Sequence, residues 1–248
     1  MRFPYLNLMH EESRDLASYL GGLSDQEWTA PSLCTGWRVR EVVSHMAAGH
    51  TASLGSYLSL LARNGFSVDR TSDGLARSFA GAHSNAEILA AFTRGTAGAP
   101  KGPTALVPKA ELFTDHLIHH QDIRRALGHP RVVPADRLQA ALAALGHLSA
   151  RVGSKARMRG LRILAEDVPY EHGDGASLVG PAEALVMALS GRAAAASDLH
   201  GEGAGLLSRR LSAEAASARG DDGAQQQLLR AWPAPNPGGA GTVPGAGQ

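Results

Sequence analysis

Cysteine is almost missing from this chain: Cys34 is the single one in 248 residues. One thiol excludes an intrachain disulfide and any thiolate-cluster zinc site, and it fits a reducing compartment. Aromatic residues are scarce as well, at 5%, so the aromatic-interleaved basic stripe of many nucleic-acid binders is not there. Neither sign of charge dominates: 24 Lys and Arg stand against 23 Asp and Glu, for a formal charge of +1. That balance describes an ordinary globule rather than a polyelectrolyte. No stretch approaches the roughly 20 apolar residues needed to span a bilayer. The opening MRFPYLNLMHEESRDL meets acidic residues too early for a secretory signal. The expected setting is cytoplasmic, with no nucleic-acid and no membrane partner, as a monomer or homodimer.

Strand-forming residues are sparse in the N-terminal half, where apolar residues recur at helical spacing between short breaks. A first helix is expected from about Leu6 to Leu20, ended by Gly21-Gly22. Ser24 follows, with Glu27 at capping-box spacing. A long helix from about Arg38 to Arg63 places Val39, Val42, Met46 and Ala47 on one face and stops at Asn64-Gly65. Phe66 to Ala82 reads as an irregular or weakly helical insertion. Ser84 caps a helix through about Arg94, and Thr96 to Pro108 is a Gly- and Pro-rich loop. KAELFTDHLIHHQDIRRALG gives a helix from Lys109 to Leu127 with Gly128 as its stop, and another starts after Pro134 and runs through LQAALAALGHLSARV.

Near Gly160 the pattern changes. GLRILAED alternates like a strand, Val168 to His172 returns beside it, and Gly173-Asp174-Gly175 is a turn. GPAEALVMALSGR then reads as a compact helix with Pro181 at its first position. From Ala213 the chain is too rich in Ala, Gly, Gln and Pro to offset its ordering entropy. The expected architecture is mainly α with a small α/β appendage: a four-helix bundle over residues 1–153, a small C-terminal α/β domain over 154–212, and a disordered tail over 213–248.

The chemistry concentrates on the Lys109–Leu127 helix, where His116, His119 and His120 fall within one and a half turns. Side chains four apart stand one above the other. Two registers can therefore chelate, Asp115 with His119 and His116 with His120, separated by about 100° around the helix. A third ligand from a facing helix would complete an open site for zinc, iron, manganese or nickel. His45, beside Val42 and Met46, is the natural third ligand. Against Leu112, Phe113, Leu117, Ile123 and Leu127 the His116/His120 pair looks at least as inward as Asp115/His119, so spacing leaves both open.

The segment WTAPSLCTGWRVREVVSHMAAGH resembles the signature near the start of the mycothiol-dependent maleylpyruvate isomerase family, in which a Trp, a Pro, a Gly-Trp pair and a helical His recur in this order. DHLIHHQDIRRALG is similar to that family's later acid-x-x-x-His-x-x-Asp motif, and DVPYEHGDGASLVGPAEALVMALSGR resembles its small C-terminal domain. The resemblance spans about Trp28 to Arg192. It implies a DinB-like metal-binding four-helix bundle with His45, Asp115 and His119 as ligands, which would choose the first register. It places the family's later aspartate at Asp122, either orienting a ligand or pairing with Arg125. Asp115 stands where the family has a glutamate, one methylene longer.

The resemblance further implies mycothiol as a thiol cosubstrate and a metal-activated thiolate that attacks a small electrophile. The chain is thus expected to be a metal-dependent, mycothiol-using transferase or isomerase. A non-catalytic metal-binding or regulatory protein is one alternative, and a maleylpyruvate isomerase proper is another. Arg192 is a candidate for an anionic part of the cosubstrate. The Phe66–Ala82 insertion is a candidate pocket wall. Trp28 and Trp37 are expected to pack the entry loop around Cys34, and His10 and His50 to face the bundle interior.

Overall fold

The computed structural model describes residues 3–148, 150 and 152–231. The chain begins with α1 (Tyr5–Leu20) and the single-turn α2 (Asp25–Thr29), which Ser24 and Glu27 close as a reciprocal capping box. Next come α3 (Val39–Thr51), α4 (Leu54–Arg63), α5 (Val68–Ala82) and α6 (Asn85–Thr96). A short 3-10 turn over Gly102–Leu106 leads into α7 (Lys109–Leu127), which ends on Gly128 at φ 69°, a left-handed cap that glycine adopts without strain. The chain continues through α8 (Ala135–Leu145), α9 (Ser154–Met158), β1 (Leu161–Ala165), β2 (Glu171–His172), β3 (Ala176–Gly180), α10 (Ala182–Leu189) and α11 (Glu202–Ala231).

Helices α1, α3, α6 and α7 pack as the four-helix bundle, with α1 against α7 and α3 against α6. Leu16, Leu20, Val39, Val42, Val43, Ile88, Phe92 and Ile123 fill one end of its core. Leu8, Met9, Phe113 and Leu117 fill the other, and this second core runs on through α8 into α10, β1 and β3. The sheet has order β2-β1-β3, with β2 antiparallel and β3 parallel to β1. The mainly α fold with a small α/β part is as expected.

Four expectations change. The long helix is broken: Ala52 turns extended at ψ 142°, and the Ser53 side chain accepts from the Ser56 amide, so α4 starts afresh in a new direction. The segment at Phe66–Ala82 is a regular helix, α5, capped by Ser67 and laid along α3 with Ala76 and Ala80 buried. The strand β3 occupies the stretch between the Gly173–Gly175 turn and the next helix, to which no element was assigned, and Pro181 sits at the cap of α10 rather than inside it. The tail expected from residue 213 instead continues α11 as far as Ala231. Arg157 pairs with Glu214 on that helix at 2.6 Å. Residues 232–248 of the expected tail lie outside the described residues.

Candidate metal centre

α7 runs through the middle of the molecule, and His116, Leu117, Ile118, His119, His120, Gln121, Asp122 and Ile123 are all buried. A helix enclosed on every side must find a partner for each polar side chain it carries. It does so in three separate directions.

His120 turns toward α1 and α8. Its Nδ1 donates to Glu12 Oε1 at 2.7 Å, and its Nε2 accepts from Arg124 Nε at 2.9 Å, so both ring nitrogens are used. Glu12, fully buried, also accepts from Arg137 Nη1 at 2.8 Å and from Arg131. Burial alone would raise the Glu12 pKa, but His120 and Arg131 overcome it and bring it down to about 2.

His116 turns toward α1 and α3. Its Nδ1 lies 2.8 Å from Ser13 Oγ, and its Nε2 lies 3.2 Å from Nε2 of His50. Desolvation pushes His50 down to about 4 and His116 to about 3, so both are neutral packing histidines at ordinary pH. His116 and His120 thus face different networks and share no common point.

Asp115 and His119 turn toward the middle of α3, where His45 stands. His119 Nε2 is 3.4 Å from Asp115 Oδ1, and the His45 and His119 ring centres are 5.2 Å apart in an edge-on arrangement. One ligand atom from each of His45, Asp115 and His119 lies within 4.8 Å of the others. Ligands about 2.1 Å from a tetrahedral metal stand about 3.4 Å apart. The Asp115–His119 spacing matches that edge, so the missing methylene does not carry the carboxylate out of reach. Two imidazoles and one carboxylate with an open fourth side fit a divalent metal of the zinc kind.

The far side of His119 is held as firmly. Its Nδ1 donates to Asp122 Oδ2 at 3.0 Å. Asp122 is fully buried and also accepts from Arg192 Nε and Nη2, at 2.9 and 2.7 Å, and from Cys34 Sγ at 3.0 Å. It therefore orients His119 and does not pair with Arg125, which goes to Glu183 and Asp198. Desolvation would raise Asp122, but Arg192 and His119 hold it far below the usual carboxylate range. Burial works against a proton on His119, yet Asp115, Cys34 and Asp122 together raise its pKa well above 6.5.

Cys34, His119 and Asp122 form a second cluster of potential ligands. A cation there would face the Arg192 guanidinium, whose Nη2 is 3.9 Å from Cys34 Sγ. That positive charge makes the His45 side of His119 the better metal site.

A cavity of about 390 Å³ opens over the centre, walled by Trp37, His45, Asp115, His119, Arg157 and Arg192. The Trp37 ring lies 5.2 Å from that of His45, and its Nε1 donates to Asp73 on α5 at 2.7 Å. Trp37, expected to pack its loop, also walls the cavity. Trp28 is simply buried in the bundle core, His50 is interior as expected, and His10 bonds the Gly98 carbonyl at 2.9 Å. Arg157 and Glu111 were not foreseen. Glu111 sits four residues before Asp115, a spacing that could have found it, whereas nothing local marks Arg157.

Residues 9–124 match the family model described as the mycothiol maleylpyruvate isomerase N-terminal domain. A crystal structure of the mycothiol-dependent maleylpyruvate isomerase, in mutant form, superposes with a TM-score of 0.51 at 14% identity, over 79% of this chain and 91% of that one. A second structure of that isomerase gives 0.45 at 13% identity, over 76% and 88%. No curated protein sequence matches the chain. The first superposition shows a shared fold that extends beyond the bundle into the α/β part. The part of the chain that carries His45, Asp115 and His119 is thus the part similar to the mycothiol maleylpyruvate isomerase N-terminal domain.

Proposed function

We propose that this chain is a metal-dependent, mycothiol-using transferase or isomerase, with His45, Asp115 and His119 as the metal ligands. The observation that carries the reading is the convergence of two imidazoles and one carboxylate at the floor of a cavity, with His119 Nε2 and Asp115 Oδ1 at 3.4 Å. A divalent cation held there, zinc before iron, manganese or nickel, would lower the pKa of an incoming thiol and make it a nucleophile near neutral pH.

The chain's own residues prepare that chemistry. Asp122 takes the Nδ1 proton of His119 in a hydrogen bond and so leaves Nε2 facing the ligand position. Arg192 locks Asp122 with two hydrogen bonds and reaches the cavity wall, where its charge suits an anionic part of the thiol cosubstrate. Trp37 lies against His45 and limits its rotation. The domain division at residue 153 belongs to the same reading: the bundle supplies the ligands, and the α/β part supplies Arg192.

Elemental analysis of the purified protein is expected to find a single divalent metal per chain, lost in His45→Ala and in His119→Ala. Mycothiol is expected to disappear when an electrophile is added. Metal retained in both variants would sink the ligand set. Metal bound without thiol turnover across a broad electrophile panel would point instead to a non-catalytic metal-binding protein.

A further inference from the structure

The Trp37 indole borders two spaces. Its ring centre is 5.2 Å from that of His45 and 6.5 Å from that of His119, and it walls the cavity over the proposed metal centre. It also borders an outer recess of about 410 Å³, lined by Leu33, Cys34, Thr35 and Asp73, with Gly191 and Arg192 common to both spaces. The main chain at Trp37 is fixed within its own loop: its amide donates to the Cys34 carbonyl at 2.9 Å, and its carbonyl accepts from the Ser32 amide and hydroxyl at 3.0 and 2.8 Å. The side chain is fixed from α5. Its Nε1 donates to Asp73 Oδ1 at 2.7 Å, and Arg77, one turn further along, donates from Nε to both oxygens of Asp73 at 2.9 and 3.0 Å. Arg77 Nη2 donates as well to the carbonyl of Gly36, the residue before Trp37, at 3.1 Å. The pair thus clasps the loop at two adjacent residues.

We propose that Asp73 and Arg77 are positioning residues for the centre, holding the Trp37 indole as the wall on which a thiol at the open metal position rests. The inference rests on the thiol-using reading above and adds two residues that stand outside the ligand set. An indole N–H is a donor only, so without Asp73 it must turn toward another acceptor or toward water. Turning takes the ring off His45 and joins the cavity to the recess. A role confined to the fold accounts for the clasp less well. The Arg77 and Asp73 side chains are 52% and 45% exposed, and an exposed ion pair four residues apart on a helix adds little to stability. The loop main chain is held without them, so what they determine is where the indole points.

The test uses the full-length protein saturated with cobalt(II), whose absorption reports a bound thiolate, and titrates it with mycothiol. Solvent exchange of the Trp37 Nε1–H is followed separately by NMR. Asp73→Ala is expected to weaken mycothiol binding by about fivefold, the worth of one aromatic contact, with cobalt content and melting temperature close to those of the wild type. It is expected to speed the indole exchange by about tenfold or more, because the hydrogen bond that protects it is gone. Asp73→Asn keeps an acceptor oxygen for the indole and is expected to restore both quantities to within about twofold. In a Trp37→Phe background, Asp73→Ala is expected to change mycothiol binding by less than about twofold, since Asp73 acts through the indole. Arg77→Met, which leaves Asp73 free to rotate, serves as a second variant with losses in the same direction, should Asp73→Ala fail to fold. Either quantity unmoved by the clasp variants, or a full loss of binding repeated in the Trp37→Phe background, would overturn the proposal. Wild-type protein that takes up no cobalt, or gives no thiolate absorption with mycothiol, would sink the thiol-using reading. Indole exchange that Asp73→Ala speeds and Asp73→Asn restores would then still support the clasp, and unchanged exchange would overturn it.

Discussion

Asp122→Asn tests how the centre is built, because Asp122 touches His119 but stands outside the ligand set. Its Oδ2 receives the Nδ1 proton of His119 at 3.0 Å, and the two Arg192 hydrogen bonds leave it no other orientation. An amide at this position presents either its oxygen to His119 or its oxygen to Arg192, and cannot serve both as the carboxylate does. Loss of such an orienting partner weakens metal binding by about 10- to 100-fold, which is roughly 1.4–2.8 kcal/mol. Proton competition acts in the opposite direction. In the metal-free protein, Asp115, Cys34 and Asp122 overcome burial and keep a proton on His119 well above pH 6.5. A metal must displace that proton, so affinity in the wild type rises with pH by about tenfold per unit until the His119 pKa is passed. The same proton stabilises the metal-free fold: its contribution is complete below about pH 6.5 and is lost as pH rises through the elevated pKa. Asp122→Asn removes part of that competition, so its affinity deficit is expected to be smallest near neutrality and largest at alkaline pH. Zinc titration against a competing chelator at several pH values measures both effects. Affinity within twofold of the wild type at every pH, with an unchanged pH slope, would refute the orienting role.

Glu12→Gln leaves the buried His120 and Arg137 without their shared carboxylate and is expected to cost about 3–5 kcal/mol in denaturant unfolding with metal content preserved; a loss under about 1 kcal/mol would show that Asp15 alone compensates Arg137. Because the Glu12 pKa is lowered to about 2, its contribution is present above about pH 4.5 and is lost as pH falls toward 2. His50 and His116, lowered to about 4 and 3, add an earlier acid transition: the unfolded chain takes up protons below about pH 6.5 while the folded chain does not, so stability falls from there toward pH 4. A fold whose melting temperature is flat between pH 6.5 and 4 would contradict their neutral burial. Gly95→Ala on α6 sets a helix-propensity gain of about 1 kcal/mol against a Cβ placed 2.7 Å from that of His50, where overpacking costs about 1–3 kcal/mol; a net fall of a few degrees in melting temperature is expected, and a rise would mean that α3 and α6 can separate freely.

The helix boundaries that the sequence disclosed are those written in local chemistry. Ser24 with Glu27, the Ser84 cap and the glycine at 128 each act within one turn, and each stands where it was expected. The break at Ala52-Ser53 carries no glycine, no proline and no acidic residue three positions on, so the apolar spacing ran across it unmarked. β3 escaped for the opposite reason. ASLVG becomes a strand because it pairs in parallel with Leu161–Ala165, and parallel pairing is a property of two separated segments rather than of either alone. The α5 segment is rich in Gly, Ser and Asp, and it is helical because α3 gives Ala76 and Ala80 a surface to pack on. Tertiary burial overrides weak propensity in that way.

The register on α7 shows the same limit at the site itself. Periodicity could not choose between Asp115/His119 and His116/His120 because α7 is buried around its whole circumference, so every face is an inner face. What separates the pairs is the polarity of the neighbour each one meets. Glu12 and Ser13 on α1 satisfy His120 and His116, whereas the facing stretch of α3 offers His45 between apolar residues and opens onto a cavity. The sequence did hold a trace of this: Glu12 and Ser13 are the polar residues of α1 that its apolar spacing carries inward, flanked by Met9 and Leu16. An acidic residue on the inner face of a neighbouring helix claims one imidazole and marks it as structural. The imidazole left facing an aspartate of its own helix and a histidine across the bundle is then the one that the proposed ligand set uses.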